Sequence, residues 1–215
     1  MPDLEPFFKF LVSGGPVMIP IGLASLVGLL VFMERIWALR RSRIVPRDFA
    51  VEVQELLKQG RWQDAQTLCR KSGSVAAEVA EVAIAARGQP RAQIKERLEE
   101  VGRREAAELE RYTQALGTVA NVSPLLGLLG TVWGMILTFE VIQQQGVGVV
   151  SSLAGGISQA LITTLAGLSV GIPALVAYRW VLSRADELVM ELEEVALAAL
   201  DLLAGDVNKA ARSDG

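Results

Sequence analysis

From Ser123 to Tyr178 the chain carries one charged residue, Glu140, and that constrains its fold more than any other feature. The stretch holds SPLLGLLGTVWGMILTFE, a polar but uncharged link, and then AGGISQALITTLAGLSVGIPALVAY. A helix packed on a water-soluble core shows a polar face every turn, and neither segment does. A hydrocarbon layer of about 30 Å needs roughly 20 apolar residues of helix, which each segment supplies. The sequence therefore predicts an all-α integral membrane protein.

Composition fits that reading once the charges are placed. The chain is 51% hydrophobic yet 21% charged, and the charges crowd into Glu34 to Arg111 and into the tail from Arg179 onward. A net charge of −3 gives no reason to expect nucleic-acid binding. The absence of histidine removes imidazole bases, Ser-His-Asp triads and most zinc and haem sites, and with no nucleophile–base pair, metal cluster or phosphate loop in the sequence no enzyme chemistry, metal or cofactor is expected. The single cysteine, Cys69, has no intrachain partner and reads as a buried, inert thiol.

Charge asymmetry around the apolar segments sets the expected topology. Between Lys9 and Glu34 there is no charge, and Pro16 is expected to open this first span while Pro20 bends it. Arg35, Arg40, Arg41, Arg43 and Arg47 follow it, Arg103, Arg104 and Arg111 precede the second span, and Arg179 and Arg184 follow the third. By the positive-inside rule these flanks are cytoplasmic, giving three spans with the N-terminus out and the C-terminus in. The expected organisation is an N-terminal interfacial segment (1–15), transmembrane helix 1 (16–38), a cytoplasmic helical region and stalk (39–111), transmembrane helix 2 (112–142), a periplasmic link (143–151), transmembrane helix 3 (152–182), and a cytoplasmic stalk and tail (183–215).

The polar region reads as helical throughout. Phe49, Val53, Leu56 and Leu57 recur at helical spacing before Gly60, Trp62, Ala65 and Leu68 before Gly73, and Ser74 offers an N-cap for a helix stopping near Gly88. From Pro90 the sequence predicts one unbroken helix to about Gln144, roughly 80 Å long. Leu188, Leu192, Val195, Ala199 and Leu202 form an apolar stripe beyond the third span, so two spans are expected to extend into the cytoplasm. The last ten residues, DVNKAARSDG, read as disordered.

Helical projection at about 100° per residue gives each central span a small-residue face. On the second lie Ala120, Ser123, Gly127, Gly130, Thr131, Gly134 and Thr138, and on the third Gly156, Ala160, Thr163, Thr164, Gly167, Gly171 and Ala174. Two readings compete. Small faces let helices pack closely, with threonines bonding their own preceding turn. Alternatively the faces line a narrow polar path offered by Thr131, Thr163, Thr164 and Gln159, with Gly127, Gly130, Gly134, Gly167 and Gly171 as packing positions. No carboxylate lies at mid-span, and Glu140 reads as an interfacial charge near the outer end of the second span. A titrating group would then have to come from another subunit.

The string GLLGTVWGM with Pro124 just upstream, followed by ISQALITTLAGLSVGIPALVAY, resembles the MotA/TolQ/ExbB proton-channel family, nearest its ExbB branch. A MotA-type stator would need a fourth span. The resemblance implies a ring, typically a pentamer, around the single membrane helices of an ExbD-like partner that brings an intramembrane aspartate. It implies work on a TonB-like periplasm-spanning protein for transport across the outer membrane, from the bacterial inner membrane. It also implies pore-lining threonines at Thr131 and Thr164. Gln159 stands where many relatives have a glutamate, which removes a ring carboxylate and leaves the coupling ion, H⁺ or Na⁺, open. Arg179 also departs from the family pattern. A TolQ-type role in envelope maintenance and a non-conducting membrane scaffold are the alternatives.

Overall fold

A computed structural model describes residues 13–145 and 150–213, with side chains placed for 13–144 and 154–203. The interfacial segment expected in 1–15 falls largely outside these residues, and of the link expected at 143–151 only 146–149 does, the rest being helical. The described residues form eight helices: α1 (Met18–Ala38), α2 (Arg41–Ile44), α3 (Arg47–Lys58), α4 (Trp62–Ser72), α5 (Val75–Ala85), α6 (Arg91–Glu110), α7 (Thr113–Gln145) and α8 (Val150–Ser213). Among the described residues three stretches are long and apolar enough to cross a membrane: Met18–Ala38, Arg91–Gln144 and Ala154–Leu203. The all-helical architecture with three candidate spans is the one the sequence predicts.

The chain divides into two compact units, Met1–Glu34 with Tyr112–Trp180, and Arg35–Arg111 with Val181–Gly215. The first is the apolar unit. Val17, Met18 and Ile21 at the start of α1 bury against Ala166, with Leu126 and Val170 alongside. One turn on, Ala24 and Val170 pack on Val119, Ala120 and Ala174. At the other end of α1, Phe32 meets the Trp180 ring edge-to-face with centroids 6.1 Å apart. Leu23, Leu26, Leu29, Leu30 and Met33 point away from this packing and are exposed, as lipid-facing side chains of a span must be.

Pro16 and Pro20 act differently from expectation. α1 begins at Met18, after a turn closed by Met18 N–H donating to Gly15 O at 3.1 Å. Pro20 therefore sits in the first helical turn, where its missing N–H has no partner to lose, and it need not bend the helix.

The second unit is built from α2 to α6 and the later part of α8. Gly73 ends α4 in the left-handed region at φ 58°, where a β-carbon would be strained. Ser74 then caps α5 by accepting from Ala77 N–H at 3.3 Å. On α8, Val181, Ala185, Leu188, Leu192, Val195 and Ala199 are all buried. Their alternating steps of four and three residues form an apolar seam of the coiled-coil kind. Leu203, rather than the expected Leu202, closes this stripe. α8 also continues through Ser213, where the sequence predicts disorder from Asp206; alanines and a lysine in that tail let an established helix propagate.

The unbroken helix expected from Pro90 to Gln144 is interrupted. α6 ends at Glu110 and α7 starts at Thr113, with Tyr112 between them at φ 61°, the one non-glycine residue with positive φ among those described. Arg35, only 4% exposed, donates its Nη1 to Glu108 O at 3.4 Å and Leu109 O at 3.2 Å. A buried cation thus meets the Leu109 carbonyl and shares the Glu108 carbonyl, which also accepts from Arg111 N–H at 3.2 Å. Propensity favours continuation through Arg111 and Tyr112, so the stop comes from this tertiary cap.

Candidate ion pathway

α7 and α8 meet along a seam that tolerates no added side-chain atoms. A β-carbon at Gly127 would lie 3.1 Å from both Thr163 O and Thr164 Cα. One at Gly134 would lie 2.9 Å from Gly156 O, and one at Gly167 would lie 2.5 Å from Ser123 O and 2.9 Å from Gly127 Cα. At Gly171 it would lie 2.6 Å from the Pro124 ring. At Gly130 it would collide with Thr163, and at Gly156 with the Thr138 hydroxyl. Most of these neighbours are backbone atoms, which cannot swing aside. In hydrocarbon, where burial of apolar surface offers no drive between helices, such close packing supplies the association energy.

The four expected pathway residues are placed differently from one another. Thr163 is fully enclosed in the seam and donates to Gln159 O at 3.1 Å and Ala160 O at 2.9 Å, within its own helix. Thr164 is half-buried and donates across the seam to Gly127 O at 3.2 Å. Thr131 is half-buried and donates back to Leu128 O at 2.6 Å. Gln159 is half-buried with its amide against Gly15, which has φ +70°. A hydroxyl whose proton is committed to a carbonyl keeps its lone pairs for another donor. Thr131 and Thr164 keep part of their surface open in this state, whereas Thr163 does not.

Two further hydroxyls belong to the seam. Thr138 is buried and donates to Gly134 O at 2.8 Å. Ser123 is fully buried, and its Oγ has no hydrogen-bond partner among the described residues. Both lie on the projected small face, so helical periodicity locates them. What sequence cannot signal is that one finds a carbonyl and the other does not.

Electrostatically the site is almost empty. Between Tyr112 and Trp180 the only charged side chains are Glu140 and Arg179, and both are exposed. Among the described residues no cluster of three or more His, Cys, Asp or Glu side chains could hold a metal ion. The arrangement can therefore offer hydroxyl and amide partners to a proton or small cation, but supplies no titrating group at mid-span.

Comparison with known proteins gives this geometry its family. The pattern of the MotA/TolQ/ExbB proton channel family matches residues 71–194, which include the whole seam. A biopolymer transport protein ExbB homologue of Methanothermobacter thermautotrophicus is 28% identical over 183 residues, covering 84% of this chain and 64% of that protein. The ExbB-like 1 biopolymer transport protein of Synechocystis is 31% identical over 189 residues, covering 84% of this chain and 70% of that protein. The Tol-Pal system protein TolQ of Haemophilus influenzae is 44% identical over 75 residues, covering 35% of this chain and 33% of that protein. The matched stretch thus spans less than two thirds of the Methanothermobacter and Haemophilus proteins. On the match over 71–194 and the Synechocystis relative, the chain belongs to the MotA/TolQ/ExbB proton channel family.

Proposed function

We propose that this chain is the channel-wall subunit of an ion-driven membrane motor, with Thr131 and Thr164 facing the ion path and Gln159 near one end of it. The observation that carries the reading is the contrast within the seam. Thr163 is locked away, while Thr131 and Thr164 keep half-open hydroxyls whose protons already go to carbonyls. Lone pairs so presented suit a protonated carboxylic acid or a small cation. The span has no mid-membrane acid of its own, so a one-span ExbD-like partner with a membrane aspartate completes the path, and a ring of copies of this chain surrounds it. Membrane insertion with the N-terminus out and the C-terminus in places the arginine-rich flanks in the cytoplasm of a bacterial inner membrane.

Energetics allow such a device. One charge crossing 100 mV gains about 2.3 kcal/mol, and an ionised carboxylate at mid-membrane costs roughly 2.5–3.5 kcal/mol on insertion scales. Protonation at a hydroxyl-lined site would therefore switch the partner between states at a cost the gradient can meet. The energised complex would act on a TonB-like protein for transport across the outer membrane. The 44% identity to a TolQ over 75 residues favours, as a second reading, coupling to envelope maintenance instead. Thr131→Val and Thr164→Val are the test: each is expected to abolish gradient-driven activity of the complex while leaving ring assembly intact. Full activity in both variants would remove the pathway assignment.

A further inference from the structure

Several arginines of the second unit meet a carboxylate: Arg41 with Glu191, Arg61 with Asp64, Arg70 with Glu81, Arg91 with Asp201, Arg104 with Glu78 and Glu105, Arg111 with Glu108, and Arg184 with Glu187, whereas Arg87, Arg97 and Arg103 have no ion pair among the described residues. The exit of α1 concentrates cations. From Arg35 to Val51 the sequence holds five arginines and one acid, Asp48. Arg40, Arg43 and Arg47 are exposed and have no ion pair among the described residues. Arg43 instead lies 3.7 Å over the Trp37 ring.

Nor are these three side chains on a loose loop. Leu39, Ile44, Val45 and Phe49 interleave with them and are at most 4% exposed, and Arg41 is tied to Glu191 at 2.8 Å. The segment is thus pinned by its apolar residues and presents its cations outward. Trp37 is 55% exposed and stands on the same helix as the lipid-facing side chains, four residues beyond Met33. At about 1.5 Å per residue that is one helical turn past the apolar run, the depth at which amphipathic aromatic rings meet lipid headgroups.

We propose that Arg40, Arg43 and Arg47, with Trp37, form a binding site for the headgroups of anionic phospholipids. Its components are three exposed guanidiniums without ion pairs on a segment pinned by buried side chains, one of them stacked on an aromatic ring at headgroup depth. Guanidinium pairs with phosphate in a bidentate manner, and Arg43, already stacked on Trp37, keeps its edge donors for that purpose. Headgroup contact follows from the attachment of this segment to the end of α1 and holds whichever face of the membrane α1 exits. The site is independent of the ion path, so the two assignments stand or fall separately.

The test uses the full chain in phosphatidylcholine bilayers carrying trace spin-labelled phosphatidylglycerol or phosphatidylcholine, reading the fraction of each label immobilised at the protein. The wild type is expected to prefer the anionic label several-fold, since each arginine near an anionic surface contributes up to roughly fivefold in association. The triple variant Arg40→Gln/Arg43→Gln/Arg47→Gln is expected to lose that preference. A control, Arg61→Gln/Arg70→Gln/Arg91→Gln, removes the same charge from carboxylate-paired positions and is expected to keep it. No preference in the wild type, or equal loss in both triples, overturns the site. Should a triple fail to give helical, monodisperse protein, Arg43→Gln alone is expected to reduce the preference measurably, and an unchanged value overturns the proposal. Inorganic phosphate at matched ionic strength is expected to compete no better than chloride. Specific displacement by phosphate, or binding of an acidic protein without lipid preference, would also overturn it.

Discussion

The hydroxyl of Thr164 donates to the carbonyl of Gly127 at 3.2 Å, a hydrogen bond from one membrane helix to the backbone of another. It forms because Gly127 has no side chain to hold the helices apart and because a threonine in hydrocarbon must place its proton somewhere. Replacement of Thr164 by valine keeps the shape and removes the donor. The expected cost in stability is small, about 0.6 kcal/mol on the scale of such bonds in membranes. The expected loss of gradient-driven activity is large, whereas Thr164→Ser keeps both. Parallel thermal melts and ion-flux assays separate the two effects, and a valine variant that conducts normally would contradict the assignment.

The seam should reject even one methyl group. In Gly167→Ala the new carbon would lie 2.5 Å from Ser123 O and 2.9 Å from Gly127 Cα, both backbone atoms. The helices must separate, with an expected cost of roughly 1–3 kcal/mol. Gly155→Ala, on the same helix with open space around it, should be neutral or slightly stabilising. Thermal unfolding of the two variants in detergent gives the comparison, and equal melting temperatures would refute the tight seam.

Arg35 and Tyr112 together make the helix break. Arg35→Met removes the donor that meets Glu108 O and Leu109 O, so a loss on the order of 3 kcal/mol is expected. Tyr112 pays for its φ of 61° with backbone strain of about 1–2 kcal/mol. Tyr112→Gly should therefore be tolerated, while the β-branched Tyr112→Val should be less stable than the parent. Denaturant titration ranks the variants, and a Val variant as stable as Gly would exclude the left-handed conformation.

Cys69 is 2% exposed, and its thiol is pushed up to about 11, first by burial and then by the nearby Glu81 carboxylate. The folded value lies above the usual 9.0, so folding favours the protonated thiol. That contribution is fully present below pH 9 and is lost as the pH rises through 11. Alkylation of the native protein is expected to be slow at pH 8 and to accelerate steeply above pH 10. Cys69→Ala should lose less stability between pH 9 and 11 than the parent; identical pH profiles would count against the buried thiol.

The sequence by itself determined the class of protein and the composition of its central faces. Long uncharged apolar runs permit only membrane-spanning helices, and a 3.6-residue period assigns Gly127, Gly130, Gly167 and Thr164 to faces without knowledge of what they touch. Ser74 as a cap and Gly73 as a stop were legible for the same reason, because their effects act within one turn. Relations between distant segments were decided only by the tertiary structure. The end of α6 is set by Arg35, more than seventy residues away in sequence, against the local helix propensity of Arg111 and Tyr112. The separation of enclosed Thr163 from half-open Thr164, adjacent in sequence, comes from which of them lies under Gly130. Likewise, the unpaired state of Arg40, Arg43 and Arg47 depends on where every carboxylate settles. Periodicity says which side of a helix a residue occupies; packing alone says whether a neighbour is there to meet it.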